Sequence, residues 1–154
     1  MHQDSNIIIS DTSCLIILDK IDELELLRKM GKKVFVTPII LKEFGKTLPD
    51  WILVASPENS HYQKILEMDL DEGEASAIAL SLEMEDPILM LDELKGRKVA
   101  EKLNLRYSGT FGLILRAKEI GILERVKPIL EKIKLTNFRF NDKLFEKVLE
   151  QAGE

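Results

Sequence analysis

A chain of 154 residues suits one compact domain, and a hydrophobic share of 45% leaves enough apolar surface to build a core. The net charge of −5 and a pI near 5.2 argue against indiscriminate, charge-driven binding to nucleic acid, and aromatics at 6% advertise no base-stacking platform. One cysteine, Cys14, and two histidines, His2 and His61, exclude an intramolecular disulfide and a Cys- or His-rich metal site. Any metal would be held by oxygens, which selects a hard cation such as Mg²⁺ or Mn²⁺.

Apolar runs fall far short of the roughly 20 residues that span a bilayer, and Met1–Ser5 lacks the basic region of a signal peptide. A cytoplasmic protein with no membrane association is the expectation.

In chain order, Ile7-Ile8-Ile9 is a β-branched run that predicts a buried strand ending near Ser10 or Asp11. Asp11-Thr12-Ser13 offers helix caps, and Leu15, Leu18, Leu24 and Leu27 predict helix over about 14–30, with a break near Lys20. Gly31 terminates it. Val34–Val36 is a second strand, and Thr37-Pro38 opens a helix that stops at Gly45. Trp51–Val54 is a short strand and 61–68 a helix. Asp71-Glu72-Gly73-Glu74 starts the clearest helix, with Ala75, Ile78, Ala79 and Leu82 at helical spacing. Ile88–Leu91 is a buried strand ending in Asp92-Glu93, followed by a basic helix to about Leu103. Leu105–Tyr107 is a strand, Ser108-Gly109-Thr110 caps a helix to about Ile120, and helices near 123–133 and 141–151 complete the chain. Strands alternating with helices imply parallel strands covered on both faces: an α/β fold, a three-layer α/β/α sandwich with a central parallel sheet.

Ligands gather at the carboxyl ends of strands in such sheets. Asp11 and Asp92 each follow a buried strand directly. If those strands are neighbours, the carboxylates crowd and raise one another's pKa unless a cation intervenes. Glu43 lies one turn after Ile39, and so on its face; Glu74 lies in the first turn of its helix beside the apolar stripe. Four such acids form a set of oxygen ligands suited to metal-assisted phosphodiester hydrolysis, in which the cation activates water and neutralises charge on a phosphoryl oxygen. Each acid also has a plainer reading. Asp11 and Asp92 can cap helices, Asp71-x-x-Glu74 matches a capping box, and Glu43 can be solvated. The case rests on the ordered set. Lys95, Arg97, Lys98 and Lys102 follow Asp92 on one helix, either a solvated face or a phosphate-contacting patch; Arg97 has the fork that suits phosphate. Thr110 is a cap near a strand end, with room for a role in holding substrate. Cys14 is read as a core residue.

The chain resembles PIN domains, within them the subgroup related to VapC-type toxins of prokaryotic toxin–antitoxin systems. Four segments carry the resemblance: Ile7–Leu15, with Asp11-Thr12-Ser13; Val36–Phe44, with Glu43; Leu70–Leu80, with Gly73-Glu74; and Ile88–Ala100, with Asp92-Glu93, continuing into Gly109–Leu113. They span 7 to about 121. The resemblance implies that Asp11, Glu43, Glu74 and Asp92 are catalytic and bind metal, with Glu93 as substitute or helper. Thr12, Ser13, Lys95, Arg97 and Thr110 are the expected substrate contacts. It implies one PIN-like nuclease domain over 1–154, with residues from about 122 as a C-terminal helical extension. It also implies Mg²⁺ or Mn²⁺ dependence, endonuclease action on RNA, a homodimer and, for a toxin, a cognate antitoxin protein. Cys14 stands where many relatives have proline, and the helix after the fourth acid is unusually basic. Phe138-Arg139-Phe140-Asn141 and the helix after it read as an added packing or dimer element.

A haloacid-dehalogenase-type phosphatase would need a second aspartate where this chain has Ser13, and a receiver-like domain would need an acidic pair and a late lysine that are not clear here. The competing reading is a non-catalytic PIN-like module that binds protein or nucleic acid.

Overall fold

The computed structural model describes residues 7–138 and 140–154. The N-terminal residues Met1–Ser5, with His2, and Arg139 of the aromatic segment lie outside the described residues.

Five parallel strands form one sheet in the order β3-β2-β1-β4-β5: β1 Ile7–Ser10, β2 Lys33–Val36, β3 Ile52–Val54, β4 Ile88–Met90 and β5 Arg106–Ser108. The helices are α1 Thr12–Lys20, α2 Glu25–Met30, α3 Pro38–Phe44, α4 Ser60–Leu66, α5 Glu72–Leu82, α6 Leu94–Lys102, α7 Thr110–Glu119, α8 Lys127–Lys134 and α9 Asp142–Gln151. The expected α/β/α architecture with a parallel sheet is what the chain forms. Among the described residues, no helix is long and apolar enough to cross a membrane.

The core begins at the central strand pair. Ile8, Ile9, Leu89 and Met90 are almost wholly buried, each contributing about 1.5–3 kcal/mol by leaving water. β1 takes β2 and β4 as neighbours, with Ile9 level with both Phe35 and Leu89. The break expected near Lys20 falls between α1 and α2, where Asp22 adopts φ 57° and Glu23 N–H donates to Leu18 O at 2.8 Å.

The helix starting at Asp71 departs from its expected pattern. An apolar stripe predicts one buried face, yet every residue of α5 from Gly73 to Ser81 is buried, while Leu82 is 38% exposed. The helix is packed on several sides, by α3, α4, α6 and the sheet. Its small residues make that possible. Ser76 and Ser81 satisfy their hydroxyls on the helix's own Gly73 and Ala77 carbonyls, at 2.7 and 2.9 Å.

Beyond α7, Val126, Ile129, Leu130, Ile133, Phe145 and Val148 join the same hydrophobic cluster as the sheet. Phe140 packs edge-on to Phe111 and Phe145, with ring centroids 4.8 and 5.9 Å apart. The Glu154 side chain accepts the N–H groups of Val126 and Lys127 at the start of α8 and pairs with Lys118.

Candidate active site

Ser10 and Met90, the last residues of β1 and β4, are partners at the middle of the sheet. The strand order reverses there, since β1 is followed in sequence by β2 on one side and paired with β4 on the other. A crevice opens at such a point. Asp11 stands at its mouth, one residue past β1. Its Oδ1 accepts the Cys14 N–H at 2.8 Å and so caps α1; its Oδ2 accepts the Asp92 N–H at 3.1 Å and ties the end of β1 to the end of β4. The capping role is real, and the same carboxylate does more than cap. Asp11 is 3% exposed. Burial first, then the charge of Asp92, push its pKa up to about 7, against the lowering pull of the two N–H donors and Arg97.

Glu74 follows from the start of α5. Asp71 Oδ1 accepts the Glu74 N–H at 2.8 Å, as a capping box requires. The Glu74 carboxyl lies against that of Asp71, and its Oε2 is the one buried side-chain nitrogen or oxygen among the described residues with no hydrogen-bond partner. Burial, then Asp71, then the charges of Glu93 and Asp11, raise its pKa to about 8. Neutralising such a group costs less than keeping it charged, unless a cation arrives.

Glu43 is exposed, not turned inward with Ile39: the buried face of α3 is Ile40 and Phe44, which turns Glu43 across the cleft mouth. There its Oε1 accepts the Thr12 hydroxyl at 2.6 Å. Asp11, Thr12, Ser13, Glu43, Asp71, Glu74 and Glu93 line one cleft of about 210 Å³.

Asp92 stands behind this cleft. Its carboxylate accepts the backbone N–H and the hydroxyl of the buried Thr110 at 2.8 and 2.7 Å, and Arg97 Nη2 lies 3.8 Å from its Oδ1. Arg97 is half-buried, and its Nε donates to Leu91 O at 2.7 Å, so its fork braces the end of β4. Lys95, Lys98 and Lys102 are exposed on α6. Cys14 is fully buried, and burial followed by the charges of Asp11 and Asp92 holds its thiol pKa well above the usual range; it is a core residue.

Sequence reasoning missed Asp71 as a cleft residue, because its capping pattern accounted for it. Its place one turn before Glu74 was the available signal, since residues three apart share a helix side.

Among the described residues, no group of three or more histidine, cysteine or carboxylate side chains stands close enough to hold a metal ion as arranged. The donor set still fits a hard divalent cation. The ligating atoms on offer are carboxylate and hydroxyl oxygens, the carboxyls are crowded and partly buried, and one buried oxygen is unpartnered. Magnesium-type sites take one or two carboxylates directly and fill the rest with water.

Fold and cleft together define a parallel α/β domain with an acidic cleft at the sheet's switch point. A family model described as a PIN domain matches residues 7–154, and the chain belongs to that family, whose members are in general metal-dependent nucleases. The match runs beyond the segments that carried the sequence resemblance and takes in α8 and α9. No curated protein matches the chain.

Proposed function

We propose that the protein is a metal-dependent endoribonuclease that hydrolyses RNA phosphodiester bonds with Mg²⁺ or Mn²⁺. The observation that carries this reading is the unpartnered, buried Glu74 Oε2 in one cleft with Asp11. Carboxyls kept that dry and close are costly unless a cation offsets them.

In this reading Asp11, Glu43 and Glu74 hold the cation, with Glu93 at the rim. The cation supplies an activated water and charge neutralisation at the phosphoryl group. Asp92 acts from behind, since its backbone N–H orients Asp11 and its carboxylate is anchored on Thr110. Thr12 orients Glu43, and Ser13 faces the substrate. Lys95 and Lys98 steer the RNA phosphates, and Arg97 supports the loop that carries Asp92. A homodimer, and an antitoxin protein that blocks the cleft, belong to the same proposal and rest on the resemblance alone.

The test is cleavage of labelled single-stranded RNA by the purified chain, with Mn²⁺, Mg²⁺ or chelator, beside Asp11→Asn. Cleavage that needs metal and disappears in the variant is the expected result. Unchanged cleavage by Asp11→Asn would sink the carboxylate-centre mechanism. A PIN-like binding module is the second reading, favoured by the fact that Asp92's carboxylate is already engaged by Thr110. RNA or protein binding that survives chelation, without cleavage, would select it.

A further inference from the structure

Three glycines at the site are not glycine for the sake of their backbone. The glycines with positive φ are Gly45, Gly121 and Gly153, whereas Gly73, Gly96 and Gly109 have conformations open to any residue. At each of the three, a side chain of the site occupies the space a Cβ would need. Glu43 Oε1 fills it at Gly73, and Arg97 Nη2 and Asp92 Oδ1 fill it at Gly109. At Gly96, the third residue of α6, a Cβ would come within 2.7 Å of Glu74 Oε2. The next nearest atoms there are Leu91 Cδ1 and Cδ2 at 3.5 Å, ordinary van der Waals contact. Glu74 alone therefore denies Gly96 a side chain, and it does so with the one buried side-chain oxygen or nitrogen that lacks a partner among the described residues.

We propose that Gly96 is a positioning residue for metal binding: by lacking a side chain, α6 leaves the recess that holds Glu74 Oε2 in the cleft. The inference rests on the nuclease reading above and assigns a role to a residue on a different helix from the acid it places. Helices generally favour alanine over glycine, so keeping glycine here trades helix propensity for the position of a carboxylate. The clashing atom is the far end of a flexible side chain, so Gly96→Ala folds by displacing Glu74 instead of α6.

The experiment measures Mn²⁺ affinity by calorimetry and the thermal midpoint in chelator for the parent, Gly96→Ala, Glu74→Ala and the double variant. The expected result has three parts. Gly96→Ala weakens Mn²⁺ binding about tenfold or more. Its midpoint in chelator is unchanged or higher. In the Glu74→Ala background it has no further effect on affinity, since the pair then acts as one unit. Parent-like affinity in Gly96→Ala overturns the proposal and leaves the nuclease reading standing. So does a full loss that recurs without Glu74, or a midpoint lowered by several degrees, which would mark a packing role. A parent that binds no Mn²⁺ overturns both.

Discussion

Thr110 gives both its backbone N–H and its hydroxyl to the carboxylate of Asp92, an acid 18 residues earlier in the chain. The pair joins the end of β4 to the start of α7. It also supplies the side-chain cap that α7 lacks at its own N-cap residue, Gly109. A negative charge at a helix N-terminus is favourable in itself.

Thr110→Val keeps the shape and the N–H bond but removes the hydroxyl bond to a charged acceptor. A hydrogen bond of that kind contributes about 1.5–3 kcal/mol. The variant should unfold at lower urea concentration, and Thr110→Ser should recover most of the difference. Equal midpoints for Thr110→Val and parent would show that the hydroxyl is energetically idle.

The raised acids make a pH prediction for the metal-free protein. Burial and the neighbouring carboxylates push the pKa of Asp11 up to about 7 and that of Glu74 up to about 8, well above the usual carboxylate range. The folded state therefore holds these protons to higher pH than the unfolded chain does. Stability should therefore fall as pH rises from about 4 to about 8 and level off above. Glu154 has the opposite sign. Against the upward push of desolvation, the Val126 and Lys127 N–H groups and Lys118 hold its pKa at about 2. Its contribution is complete above about 4.5 and disappears as pH falls towards 2. Chelated protein should be most stable near pH 4–5, and Mn²⁺ should remove the loss at pH 8. Denaturation midpoints across pH 3–9 check this; a profile flat between pH 5 and pH 8 in chelator would contradict it.

Arg97 and Lys98 are neighbours on α6 with different duties. Arg97→Ala deprives Leu91 O of its donor and should cost about 1–3 kcal/mol in unfolding free energy. Lys98→Gln alters an exposed residue and should stay within about 0.5 kcal/mol of the parent. On RNA the order reverses if Lys98 contacts phosphate: affinity falls, and the salt dependence of binding loses about one unit of slope. A destabilised Lys98→Gln, or a salt slope unchanged from the parent, would refute the division.

Much of this arrangement was legible in the residues. Short apolar runs bounded by Gly, Pro and Asp placed the inner strands β1, β2 and β4, because such strands of a parallel sheet are buried on both faces and the signal is a run of apolar residues. Asp11 and Asp92 declared themselves by following such runs directly. What the sequence could not separate was Asp92 from Glu93. Both sit at the same strand end, and only the position of Thr110, fixed by the neighbouring strand β5, decides which carboxylate turns away from the cleft. The full burial of α5 was hidden for a related reason. An amphipathic pattern reports one neighbour, whereas α5 has several, and its Ala and Ser residues read as neutral until those neighbours are in place.

The strand order has a consequence for how the cleft comes into being. Its lining is drawn from residue 11 through residue 93, and the Asp11–Asp92 tie links strands that are side by side in the sheet but far apart in the chain. Contacts of that span are slow to form, because a long loop must close before they reward it. No stretch of chain ending before Glu93 contains the whole acid set. Until β4 has slotted in beside β1, the Asp11–Asp92 tie is missing and the cleft lacks part of its lining.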